Sequence, residues 1–232
     1  MTADRPDVPL PSAEAVAEFG AALAKAERYV ELLATDGVTR GLIGPRETSR
    51  LWDRHLLNCA LVAELVPEQG ELVDIGSGAG LPGIVLAMLR PSLHVVLLEP
   101  LLRRSVFLRE CVRELGLPNA TVVRARAEDK AASGISADLA TARAVAPLDR
   151  LVGWAAGLLR PGGELLAIKG QSAAAELAAA EPALSRLGVQ SAQVLQAGHG
   201  RVVSATTIVR VVMGGHGREE RPGAQRSRRG VA

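Results

Sequence analysis

Aromatic side chains are nearly absent: Phe19, Tyr29, Trp52, Phe107 and Trp154 are the only five in 232 positions. A protein that grips single-stranded nucleic acid by stacking needs several exposed rings along one groove. So few rings, with Phe107 and Trp154 on apolar faces of predicted helices, exclude a broad base-stacking platform. Cysteine is scarce too. Cys59 and Cys111 sit in separate helical stretches without metal-ligand spacing and read as buried thiols of a reducing compartment. Every long apolar stretch is interrupted by Gly, Pro or a polar residue, which argues against a transmembrane helix. The first eleven residues carry Asp4, Arg5, Asp7 and three prolines, unlike a secretory leader.

A strong charge of one sign is also missing, since the net charge is +2. Residues 214–232 hold five arginines against Glu219 and Glu220, a local +3 that leaves the rest of the chain at −1. That tail has little to bury and is expected to be disordered, serving either phosphate attraction or solubility. Lysine is confined to Lys25, Lys130 and Lys169, so arginine carries almost all the positive charge.

What the chain does contain is a glycine run after an apolar strand. Leu72 to Ile75 leads into Gly76, Gly78 and Gly80, and Pro82 follows where a helix begins. Strand, glycine turn and helix start together allow backbone to approach a nucleotide-like ligand. Dinucleotide folds prefer G-x-G-x-x-G; the tighter G-x-G-x-G here, with Asp74 before it, favours S-adenosylmethionine (SAM). A second apolar strand, 94–98, ends in Glu99, 23 residues after Gly76. An acid at that strand tip can accept both ribose hydroxyls of an adenosyl group.

Around this centre the pattern predicts an α/β fold. Ser12 caps an amphipathic helix of about 22 residues with Val16, Phe19, Leu23, Ala26, Val30 and Leu33 on one face, and a second helix spans 48–65. Strands are expected at 71–75, 94–98, 120–124, 137–141 and 164–168, with helices at 83–90, 101–115 and 148–159. Such alternation implies a parallel sheet. Residues 172–187 read as one or two helices broken near Pro182, and runs at 189–196 and 205–212 read as a hairpin turning at 198–200. The expected layout is a disordered 1–11, a helical cap at 12–66, a catalytic domain at 67–212 and a disordered tail at 213–232. Five parallel strands plus a hairpin give the seven-stranded, mostly parallel, Rossmann-like sheet of class I SAM-dependent methyltransferases.

Several segments together resemble the bacterial small-subunit rRNA guanine-N7 methyltransferases, the RsmG family, also called glucose-inhibited division protein B. They are the helix containing Leu51-Trp52-Asp53-Arg54-His55 and Asn58, the loop Val73 to Gly83 with its Leu-Pro-Gly, and Leu98-Glu99 followed by Arg103-Arg104 and Phe107-Leu108. Arg126-Ala127-Glu128, Ala142-Arg143-Ala144 and Lys169-Gly170-Gln171 complete the set. The likeness spans about residues 12–212. Ala79, where the family often has Pro, and Arg103, where Lys is common, depart from it.

The resemblance implies SAM as cofactor, with Gly76, Gly78 and Leu81 along the methionine and adenosine, Glu99 on the ribose, and Ala127 with Glu128 at the adenine edge. It also places Arg143 at the cofactor, where a guanidinium can pair with the methionine carboxylate or position the target nucleotide. Arg54 and His55 either contact RNA or dock the cap on the catalytic domain, and Lys169 is a candidate for RNA phosphate or ribose. The implied acceptor is N7 of a guanine in the 530 loop of 16S rRNA within a small-subunit assembly particle, acted on by a cytoplasmic monomer. N7 has a lone pair and no proton, so no general base is expected. The fourth strand accordingly ends in Thr141-Ala-Arg-Ala-Val-Ala-Pro147, without the Asn/Asp-Pro-Pro-aromatic motif of amino-group methyltransferases. Alternatives are a methyltransferase for a small molecule or protein, an NAD-linked oxidoreductase, and a non-catalytic RNA-binding factor.

Overall fold

In a computed structural model that describes residues 8–198 and 205–215, seven strands form one sheet in the order β3-β2-β1-β4-β5-β7-β6. They are β1 (Gly70–Ile75), β2 (Leu93–Leu98), β3 (Ala120–Val123), β4 (Ala137–Arg143), β5 (Leu159–Ile168), β6 (Val189–Ala197) and β7 (Thr206–Met213). The first five pair in parallel; β7 lies antiparallel to both β5 and β6. Strand order reverses between β1 and β4, and ligands of open α/β sheets bind beyond the carboxyl ends of strands at such a point. The expected arginine-rich tail and the tip of the hairpin turn lie outside the described residues.

Apolar side chains on both faces of the central strands explain why these segments do not alternate. On one face Leu72, Leu97 and Leu139 meet the cap; on the other Val73, Val96 and Ala140 meet the helices that follow β4 and β5. The sheet is therefore covered on both sides, as parallel sheets require. The cap is made of α1 (Ala13–Phe19), α2 (Leu23–Leu32) and a short α3 (Asn58–Ala60) with irregular turns between them. Ser12 caps α1 through its hydroxyl, which accepts from Ala15 N–H at 3.3 Å. Around the sheet run α4 (Gly83–Leu89), α5 (Leu102–Glu114), α6 (Leu148–Leu158) and α7 (Ala173–Arg186).

Four expectations change. The single amphipathic cap helix is interrupted at Gly20, whose φ of +45° ends α1. The change of axis leaves Val16 exposed and buries Ala15 in its place. The helix expected over 48–65 is a 3-10 segment (Pro45–Arg50), a π-helical segment (Leu51–Leu57), α3 and a second 3-10 turn (Leu61–Leu65). Widened turns of this kind recur at functional sites, and this one carries Arg54 and His55. Pro182 does not break α7, because Ala180, Ala183 and Leu184 are buried on either side of it and hold the helix against the sheet. Finally, Val8 packs on the core and Pro9 carbonyl accepts from Trp52 Nε1 at 2.8 Å, so the cap begins before Ser12.

Candidate active site

The loop after β1 is shaped by what surrounds it. Gly76 (φ +67°) turns the chain away from the sheet, and a Cβ there would lie 2.8 Å from Val145 Cγ1. Gly80 (φ +100°) is pressed against the cap: a Cβ would meet Ile84 Cδ1 at 2.5 Å and Tyr29 Oη at 2.7 Å. Pro82 occupies the N-cap position of α4, one residue earlier than a helical start. Asp74 lies beneath the loop, its carboxylate accepting from Thr141 Oγ1 and from Gly83 N–H, each at 3.1 Å. Burial pushes its pKa up to about 6 against the opposing effect of these hydrogen bonds.

Glu99 leaves β2 just beside the glycines and is buried. Its Oε2 accepts from Gly78 N–H at 3.0 Å and its Oε1 from Leu101 N–H at 2.9 Å. Each carboxylate oxygen has a second lone pair, so both remain able to accept from a diol.

Two cavities meet at Gly76 and Arg104. The smaller, about 270 Å³, has apolar walls from Ile75, Leu98, Ala125, Val145 and Trp154, with Glu99, Ala127 and Glu128 at its polar edge. The turn that carries Ala127 and Glu128 is closed by Asp129 Oδ2, which accepts from Arg126 N–H at 2.8 Å. The larger, about 610 Å³, opens between the cap and the sheet. It brings together Gly76, Gly78, Leu81, Arg54, His55, Arg143 and Lys169, so each residue assigned by resemblance to the cofactor or offered for RNA lines one cavity or the other.

These surroundings fit an adenosylmethionine. An apolar slot with an acid at its edge suits adenosine, and a Cβ at Gly78 would meet only the Gly76 carbonyl, at 3.7 Å. Arg104 Nε is buried between the two cavities and has no hydrogen-bond partner, while its Nη1 lies 3.9 Å from Glu99 Oε2. An unsatisfied buried donor of this kind is uncommon and suits a site that receives a polar ligand.

Arg143, the last residue of β4, donates from Nη2 to His55 Nδ1 at 2.7 Å. Arginine can only donate, so Nδ1 is the unprotonated nitrogen and the ring proton sits on Nε2. That Nε2 donates to Glu47 Oε2 at 3.0 Å. Burial, with Arg143 nearby, lowers the His55 pKa and keeps the ring neutral. Glu47 Oε1 also pairs with Arg54 at 3.3 Å. His55 thus links the cap to β4 through Arg143, and Arg54 stays 54% exposed at the rim. Lys169 is only 10% exposed; its ammonium donates to Ala146 carbonyl at 2.9 Å and pairs with Glu176 at 2.7 Å.

Some contributors were not singled out from the sequence. Tyr29 donates its hydroxyl to Ala79 carbonyl at 2.6 Å, a contact between distant elements with no local signal. Glu47 lies eight residues before His55 across two irregular segments, which no helical period links. Trp154 is only half-buried, with Arg150 5.4 Å above its ring; it packs against the core from α6 and also lines the smaller cavity. Trp52 is buried edge-on against Phe19, with ring centroids 5.9 Å apart, so it offers no stacking surface.

Fold and site define a class I SAM-dependent methyltransferase. Among solved structures the fold is similar to Pyrococcus horikoshii TYW2 in complex with MeSAdo (TM-score 0.56, 12% identity, 70% of this chain and 63% of that one). It is also similar to a putative S-adenosyl-L-methionine-dependent methyltransferase from Methanococcus maripaludis (TM-score 0.53, 15% identity, 82% and 94%). The family model GidB, rRNA small subunit methyltransferase G, matches residues 22–204, and the chain belongs to that family. Ribosomal RNA small subunit methyltransferase G of Thermobifida fusca is 58% identical over 204 residues, covering 88% of this chain and 86% of that protein. The Streptomyces coelicolor protein of the same name is 55% identical over 208 residues, covering 90% and 85%. The protein is accordingly a methyltransferase with SAM as its cofactor.

Proposed function

We propose that this enzyme methylates N7 of a guanine in the 530 loop of 16S rRNA, as a cytoplasmic monomer acting on a small-subunit particle. Bound SAM supplies an electrophilic methyl group on its sulfonium. The observation that carries the reading is the engagement of the carboxylate and the imidazole that line the larger cavity. Glu47 is engaged by His55 and Arg54, and His55 Nδ1 by Arg143. Among the described lining residues Glu47 is the one carboxylate, and the His55 bond with Arg54 nearby lowers its pKa and makes it a weak base for an amine or hydroxyl. Guanine N7 needs no such base. Its lone pair would form the N–C bond as the S–CH₃ bond breaks and the sulfonium leaves as a neutral thioether, so alignment and electrostatics suffice.

Glu99 holds the ribose, Ala127 and Glu128 the adenine edge, and Gly76, Gly78 and Leu81 the methionine side. Arg143 takes the methionine carboxylate. Around the larger cavity Arg54, Arg104, Arg143 and Lys169 face the single carboxylate of Glu47, a balance that favours a polyanionic acceptor. Of the candidates for RNA, Arg54 has the exposure to meet a phosphate, whereas His55 and Lys169 spend their polar atoms within the protein and shape the rim. Names of the relatives point to the same acceptor class.

The test is methyl transfer from labelled SAM to free 16S rRNA and to small subunits, with the modified base mapped. N7-methylguanine at the 530 loop is expected. Transfer to an exocyclic amine, or none to RNA despite tight SAM binding, overturns the reading.

A further inference from the structure

Arg143 is held from the cap in an unusual way. Its firm partner is the neutral His55 ring, with only a weak contact from Nη1 to Cys59 Sγ at 3.8 Å, and no carboxylate among the described residues pairs with it. A neutral acceptor fixes the direction of a guanidinium without cancelling its charge. A carboxylate in the same place would fix it and neutralise it, leaving little attraction for a ligand anion. Glu47 performs its work one bond further out, where it holds the Nε2 proton and so keeps Nδ1 free to accept.

We propose that the Glu47–His55 pair positions Arg143 for the methionine carboxylate, so that the cap as well as the sheet sets cofactor affinity. This rests on the assignment of Arg143 to that carboxylate. His55 is a positioning residue: it touches Arg143, not the reacting atoms. The charged groups facing its ring are Glu47 from the 3-10 segment, Arg54 from its own π-helical segment and Arg143 from β4. Once protonated, the ring donates from both nitrogens and Nδ1 no longer accepts from Arg143. Cofactor binding therefore weakens in acid through His55.

The experiment is calorimetric SAM titration of the full-length protein at pH 7.5, with melting curves as a folding control. Arg143→Ala is expected to weaken SAM binding about tenfold or more, and His55→Leu by about fivefold to tenfold. His55→Asn, whose Oδ1 replaces Nδ1 as acceptor, restores most of the affinity. His55→Leu placed on Arg143→Ala adds no further loss. Wild-type affinity falls as pH drops below about 6.5, the ordinary imidazole midpoint, while His55→Asn stays level. Asp74 titrates in the same range but is present in both proteins, so the comparison isolates His55.

Normal SAM affinity in folded His55→Leu, alongside weak binding by Arg143→Ala, overturns the positioning role alone. Additive losses in the double variant do the same. Normal affinity in Arg143→Ala removes the assignment on which the proposal stands. Should His55→Leu fail to fold, the pH profile of His55→Asn decides: an unchanged acid loss overturns the proposal.

Discussion

The Tyr29 hydroxyl donates to the Ala79 carbonyl at 2.6 Å, joining cap helix α2 to the glycine loop across 50 residues of sequence. Tyr29 is fully buried, whereas Ala79 is part-buried on the wall of the larger cavity. The Tyr29 oxygen also stands 2.7 Å from where a Gly80 Cβ would be. One side chain of the cap thereby fixes both the height and the closeness of the loop. Tyr29→Phe leaves a carbonyl without this partner and should cost about 1–2 kcal/mol of stability. Gly80→Ala adds the left-handed backbone strain and two collisions, so it should cost more and weaken SAM binding further. Chemical denaturation and SAM titration of both variants check the order; equal behaviour of the two would dismiss the loop clamp.

Glu99→Gln tests the acid at the tip of β2. The carboxylate now accepts from Gly78 and Leu101 N–H, and a carboxamide can accept at one oxygen only. Its NH₂ then faces a backbone donor, at a cost of about 1–3 kcal/mol. With the ribose acceptor also halved, SAM affinity is expected to fall by tenfold or more. A titration in which the variant matches the wild type would remove Glu99 from the site.

Asp74 gives the fold a pH signature. Its folded pKa, pushed up to about 6 from 3.8, means the native state favours the protonated carboxyl more than the unfolded chain does. Its contribution is therefore complete below about pH 4 and is lost as pH rises through about 6, a difference on the order of 3 kcal/mol. Comparing wild type with Asp74→Asn cancels the other titrations. The stability difference should shift in favour of the wild type as pH falls from 7 to 4, and a flat difference would refute the assignment.

The legible parts of this protein are those whose cause is local. The run from Leu72 to Gly80 and the acid Glu99 announce a strand, a turn and a ribose acceptor because backbone reach and side-chain type are set within a few residues. Strand positions followed from apolar runs between turn residues, and the observed β1 to β7 depart from them mainly at their ends. The cap was read less well. Its 48–65 segment looks helical by period, yet the fold divides it into 3-10, π and α turns. The same non-locality hides Glu47 and Tyr29, whose partners lie across the fold. Lys169 lines the larger cavity, but its pairing with Glu176 depends on where α7 packs.

RNA contact should separate from cofactor contact by salt dependence. Arg46, Arg50 and Arg54 are exposed on the segment that borders the larger cavity, whereas Arg143 is held at the end of β4. If Arg46 and Arg50 meet phosphates, replacing both with Ala should weaken small-subunit RNA binding. It should also lower the slope of log K against log salt by about 1 to 2, since each neutralised phosphate releases condensed counterions. SAM affinity should stay at the wild-type value, because neither residue lines the cavities. Arg54 is best left in place for this measurement: its bond to Glu47 would mix RNA effects with those of His55. Filter binding across a salt series gives the slope directly. An unchanged slope would move the RNA face away from this segment, toward the exposed arginines Arg103, Arg124 and Arg126 near the smaller cavity.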